Sequence, residues 1–132
     1  MSNNINLKKV IAYWTKGAAL NYDTAKFLYK GARYADSLFF CHLTLEKALK
    51  SLVVQKIQTH APHIHDLLEL ADLAGVVLTQ QQREWLIEIT RFNIAGRYDQ
   101  YKFDFYKKCD AKYTGKFFKI AEDFYLWFKK QI

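Results

Sequence analysis

Three of the chain's four histidines fall within six positions, in the run THAPHIHDLLEL at residues 59–70, and Asp66 follows His65 directly. Histidine and aspartate bind metals and carry protons, so the run admits three readings: a metal site, a catalytic cluster or the start of a helix. A metal needs three or four ligands converging on one point. His60 and His63 flank Pro62, the chain's only proline, and His65 with Asp66 could complete a site only if that loop curled tightly around an ion. Neither a metal nor any other cofactor is therefore expected. Asp66, by contrast, stands where a carboxylate favours a helix N-terminus, ahead of Leu67 and Leu70 on a helical inner face. His65 and Asp66 are read as structural polar residues that position this helix.

A second constellation lies upstream. His42 and Glu46 are four residues apart, on one face of a helix, with Lys50 one turn further on. This face is either a polar network that fixes helix packing, with Asp23 of the preceding helix as a further structural polar member, or a recess for a nucleotide base or phosphate. A third segment, Arg91, Asn93, Arg97, Tyr98, Tyr101 and Lys102, combines arginine forks suited to phosphate with tyrosines able to stack on a base. It is the better candidate for an anionic ligand, against the alternative of a solvated helix end with aromatics folded over the core. No GxxxxGK[ST] phosphate loop and no GxSxG elbow is present. Cys41 and His42 are neighbours in sequence, but adjacent helical positions point apart, so they form no nucleophile–base pair. No catalytic residue is assigned.

The elements that must hold these groups are helical. The 132 residues make one domain, 1–132, and 51% apolar with 17% aromatic content is too rich in core-forming side chains for disorder. One proline and five glycines are too few for an all-β chain of many turns. Val10, Trp14, Ala18, Tyr22, Ala25, Leu28 and Ala32 recur at three and four, predicting a helix from about Asn6 to Gly31. Ala35, Leu38, His42, Leu45, Leu49 and Leu52 predict a second, ending near Ile57 and antiparallel to the first because the link is short. A third, shorter helix stops at Gly75 and a fourth begins after Thr79, with Trp85, Leu86, Ile89 and Phe92 inward. Residues 96–112 mix tyrosine, phenylalanine and charge without a sustained period and read as an ordered connection with a local helical turn at most. The last helix, from about Thr114, carries Phe117, Ala121, Phe124 and Phe128 on one stripe; Phe118, Tyr125 and Ile132 lie on another, for the neighbouring helices or a second subunit. The fold class is all-α, an up-and-down antiparallel bundle of about five helices.

The net charge of +7 favours an anionic partner, and residues 107–132 hold seven lysines against three acids, a basic end that is more often a solvated face than a specific site. Two cysteines without a CxxC spacing read as free thiols. No N-terminal run resembles a signal peptide and no apolar stretch approaches the ~20 residues of a membrane helix. A cytoplasmic protein without membrane contact is expected.

The order of these features resembles the HEPN domain, the helical module named for higher-eukaryote and prokaryote nucleotide binding. The resemblance is carried by Tyr13-Trp14, Ala18, Asp23 and Ala25, then Gly31-Ala32-Arg33-Tyr34-Ala35 at the turn. It continues through Phe39-Phe40-Cys41-His42 and Glu46-Lys47-Ala48-Leu49-Lys50, His65-Asp66-Leu67 with Leu70, and Arg97-Tyr98-Asp99, over roughly residues 8–130. The family often has a proline between the tyrosine and aspartate of that last segment, whereas Tyr98 here runs directly into Asp99. The resemblance implies a bundle that often dimerises, with two branches. One consists of metal-independent ribonucleases with an arginine followed, after four to six residues, by a histidine, in a site formed across the dimer. The other lacks that pair and serves as the binding partner of a small nucleotidyltransferase encoded separately or fused to it.

No histidine of this chain has an arginine at the required distance before it, and none follows His65, so Arg83, Arg91 and Arg97 have no downstream histidine. The usual proton-exchanging and phosphate-steadying pair is missing. The expected function is thus a non-catalytic nucleotide- or substrate-binding module, a homodimer acting with a separate nucleotidyltransferase. The alternative is a HEPN ribonuclease or toxin-like protein with displaced catalytic residues; the anionic partner considered is a nucleotide or RNA.

Overall fold

A computed structural model describes residues 5–132, which form six helices: α1 (Leu7–Lys30), α2 (Tyr34–Ile57), α3 (Leu67–Leu73), α4 (Gln80–Arg97), α5 (Asp99–Lys108) and α6 (Ala111–Gln131). The helix ends follow from local chemistry. Asn6 caps α1 by accepting from the Lys9 amide, Asp66 caps α3 by accepting from the Leu68 and Glu69 amides, and Thr79 with Gln82 forms a reciprocal capping box on α4. Each such cap is worth about 1 kcal/mol. After α1 the Arg33 amide reaches back to the Leu28 carbonyl at 2.8 Å and the Ala32 amide to Tyr29 at 3.1 Å, the paired bonds of a Schellman stop. The left-handed residue in that stop is Ala32, with φ 59°, rather than the adjacent Gly31. A side chain thus occupies the backbone state that glycine usually fills.

α2 is the spine, packed against all five other helices and buried along most of its length. It runs antiparallel to α1: Ser37 donates to the Ala25 carbonyl near one end, while the Thr15 and Ser51 hydroxyls meet at 2.9 Å near the other. The core gathers Leu38, Leu45, Leu49 and Val53 of α2 with Leu67 and Leu70 of α3, Leu86, Ile89 and Phe92 of α4, and Phe117, Phe124 and Phe128 of α6. Both aromatic stripes of α6 are used within the chain. Phe118 stacks on Tyr29 at 4.6 Å between ring centroids, and Tyr125 lies 4.8 Å from Tyr22, whose hydroxyl donates to Glu122.

Two expectations are corrected. The connection at 96–112 contains a ten-residue helix, α5, so the bundle has six helices among the described residues. Its periodicity is obscured because only Phe105 is buried; Phe103, Tyr101 and Tyr106 remain exposed and break the apolar pattern. The last helix starts at Ala111 rather than near Thr114, because Asp110 accepts from the Tyr113 amide at 2.8 Å and caps it earlier. Tyr98 ends α4 and precedes α5 in an extended conformation, φ −113° and ψ 119°, which separates the two helices without a proline.

Candidate ligand site at the ends of α2 and α4

His42, Glu46 and Lys50 project from one face of α2 as their spacing requires, and the fold buries them to 0%, 6% and 4% exposure. The Glu46 carboxylate is the hub. Its Oε2 accepts from Lys50 Nζ at 3.0 Å and its Oε1 from His65 Nδ1 at 3.0 Å, and His65 belongs to the loop that leads into α3. His42 Nε2 lies 2.9 Å from the His65 backbone oxygen. A carbonyl can only accept, so Nε2 carries the proton and Nδ1 is left bare, 3.9 Å from Glu46 Oε1 and without a hydrogen-bond partner. Lys50 also lies 5.1 Å from the centroid of the Trp14 ring on α1. The cluster therefore ties α1, α2 and the α3 entry loop together as the polar-network alternative requires, and its space is taken by the protein's own groups.

Asp23 is no member of this network. It lies exposed on the outer side of α1, 3.7 Å from Lys26, one turn away. Asp66 caps α3, while His60 and His63 stay exposed in the loop. Among the described residues no group of three or more histidine, cysteine, aspartate or glutamate side chains is placed to hold a metal ion, and no helix is long and apolar enough to cross a membrane.

Burial lowers the His42 pKa from its ordinary 6.5, outweighing the carbonyl of His65 and the Glu46 charge that favour the protonated ring; Arg97 adds a smaller push downwards. For Glu46, burial acts to raise the carboxyl, but the hydrogen bond and charge of Lys50, with help from the two histidines, hold it below the usual range. Both shifts have one sign for stability. A depressed folded-state pKa means that the unfolded chain takes up protons first as pH falls, so stability present above the unfolded pKa is lost on acidification. The Tm should therefore fall from about pH 7.5 to about pH 5 through His42, with Glu46 adding its share at lower pH. His42→Gln, which can still donate to the His65 carbonyl, should flatten the upper part of that profile; an unchanged slope would remove His42 from the account.

The second set divides in two. Arg91 and Arg97 are six residues apart, about 120° around the helix, and so face different neighbours. Arg97 Nε donates to Oδ1 of the buried Asn93 at 2.7 Å, and its charge is felt at His42, which places it on the α2 side. Arg91 turns towards α5 and α6, where its Nη1 donates to Glu88 Oε1 at 2.6 Å. Glu88 also accepts from the Tyr113 hydroxyl at 2.8 Å and from Lys108 Nζ at 3.2 Å. Burial alone would raise its carboxyl, yet the bonds from Tyr113, Arg91 and Lys108 leave it lowered. Glu88 thus joins α4, α5 and α6, a role the sequence reading missed although it stands one helical turn before Arg91. A recess of about 220 Å³ opens there, lined by Arg91, Lys108 and Asp104 among others. Tyr98 and Tyr101 lie exposed at the α4–α5 junction, and Lys102 lines a separate shallow groove with Asp99, Phe103 and Tyr106.

Cys41 and Cys109 are buried, and burial pushes each thiol up to about 12, so neither is poised as a thiolate nucleophile. The model of the HEPN domain family matches residues 11–132, from within α1 to the end of the chain. No curated protein and no solved structure matches the chain.

Proposed function

We propose that this chain, which belongs to the HEPN domain family, is a non-catalytic member: a single-domain, cytoplasmic homodimer that binds a nucleotide or RNA segment and works with a separate minimal nucleotidyltransferase. Membership places it among nucleotide- and RNA-related modules. The finer reading rests on one observation above the rest: His42 is fully buried with its Nε2 proton committed to the His65 carbonyl, and no histidine follows any of the arginines of α4. A buried, already bonded imidazole cannot reach a ribose hydroxyl, and Arg97 stands six residues after Arg91, where the ribonuclease branch could have its histidine. Arginine stays charged and can hold a phosphate, but it cannot exchange a proton near neutral pH.

Binding is assigned to the exposed guanidiniums of Arg91 and Arg97, on two sides of α4, with Tyr98 and Tyr101 at its end, so that a ligand engaging both would cross the end of that helix. Asn93 orients Arg97 at little entropic cost on binding, and the two exposed rings can stack on bases. The homodimer is assigned to the face of Ile87 and Ile94, seven residues apart on α4 and both exposed. The buried free cysteines suit a reducing compartment.

The test is a titration of nucleotides and short RNA against wild type and Arg91→Ala/Arg97→Ala, read by fluorescence anisotropy. Loss of both cations should weaken binding by about 10- to 100-fold and reduce its salt dependence. Equal affinity for both proteins would remove this site.

A further inference from the structure

A second recess lies between α4 and α6. Its volume is about 150 Å³, and it is lined by Gln82 and Trp85 of α4 with Ile120, Asp123, Phe124 and Trp127 of α6. Both indoles are held against buried rings: Trp85 meets Phe124 edge to face at 6.5 Å, and Trp127 stacks on Phe128 at 5.6 Å. They are half-buried, so part of each indole remains open to the recess. Asp123 is the only charged residue in the lining. Lys119 Nζ stands 3.0 Å from Asp123 and 3.8 Å from Glu122, so this lysine is shared between two carboxylates.

These features select a ligand class. Indole faces are electron-rich and are the strongest side-chain partners for a cation, and a carboxylate at the mouth completes the attraction. An anion would meet Asp123 and no lining cation, which separates this recess from the arginine face. A cavity of about 150 Å³ holds a benzene-sized guest, and a trimethylammonium head is of that order. The exposed Lys119–Asp123 pair is screened by solvent and yields readily to a competing cation. We propose that the Trp85–Trp127 recess binds a small organic monocation of the quaternary-ammonium type, with the indoles enclosing the methyl groups and Asp123 balancing the charge. The site is independent of the nucleotide-binding reading and can fail or succeed without it.

The three tryptophans make the experiment self-controlled, because Trp14 sits on α1 beside Lys50, away from the recess. Choline and its uncharged carbon isostere, 3,3-dimethylbutan-1-ol, are titrated into ¹⁵N-labelled full chain while the indole N–H signals are followed. Choline should shift Trp85 and Trp127 saturably, leave Trp14 in place, and bind at least about fivefold more tightly than the isostere. Asp123→Asn, an exposed and structurally mild change, should weaken choline about threefold while leaving the isostere unaffected. Equal binding of choline and isostere would reduce the recess to an apolar slot and overturn the proposal. So would equal movement of all three indoles, no movement at tens of millimolar choline, or unchanged choline affinity in Asp123→Asn.

Discussion

Glu46→Gln should destabilise the protein by about 3 kcal/mol, within the range for breaking one half of a buried ion pair. The carboxylate accepts from Lys50 and from His65 with both oxygens, and Lys50 is 4% exposed. Replacing one oxygen by an amide NH₂ keeps the volume but removes the charge and one acceptor. The Lys50 ammonium is then left buried without its counter-charge. His65 loses its tie to α2 if the amide turns its NH₂ towards the loop. For a domain of this size the loss corresponds to a fall in Tm of about 10 °C. The double variant Glu46→Leu/Lys50→Met, which removes both charges, should recover more than half of the loss, because the cost lies in the orphaned charge rather than in the absent attraction. Thermal and urea melts of the three proteins check this. If the single variant lost stability no faster than a surface change, Glu46 would be free for a ligand, and the packing role given to this cluster would fall.

Phe92→Ala should cost about 4 kcal/mol, the range for emptying a fully packed aromatic site. The Phe92 ring is 1% exposed and meets Phe105 at 5.4 Å, Phe117 at 5.7 Å and Tyr113 at 6.3 Å between centroids. These contacts connect α4 to α5 and α6 from the inside, beneath the Glu88 hub. Phe105 is the only buried residue of α5, so α5 has little else to hold it. The cavity should therefore loosen α5 beyond the global loss of stability. Hydrogen exchange should show α5 amides losing protection while those of the α2 centre keep that of a uniformly destabilised chain. Uniform loss across all helices would mean that α5 is anchored elsewhere.

Much of the bundle is legible because α1, α2, α4 and α6 bury a face at helical spacing, while Gly75 marks the stop of α3 and Thr79 the start of α4. α5 is not, since a helix that buries one residue in ten leaves no apolar stripe to read. Asp110 is a cap signal that the mixed polar and aromatic sequence around it masks. The site was legible in part. The i, i+4 rule placed His42, Glu46 and Lys50 together, but could not tell a buried network from an open recess, because burial depends on the loop that brings His65 over α2. Arg91 and Arg97 are close in sequence and diverge around the helix, a separation that the helical period itself contains. Asp23 was joined to the network on a shared polar character; α1 turns it to the opposite side.

On the function proposed above, this HEPN chain binds RNA without cutting it. The direct measurement is cleavage of a labelled short RNA by metal-free protein at micromolar concentration, repeated with His42→Gln and His65→Ala. No cleavage above buffer is expected from any of the three proteins, with binding of the same RNA retained by wild type. Robust cleavage by wild type that either histidine substitution abolishes would contradict it and establish a ribonuclease with displaced catalytic residues.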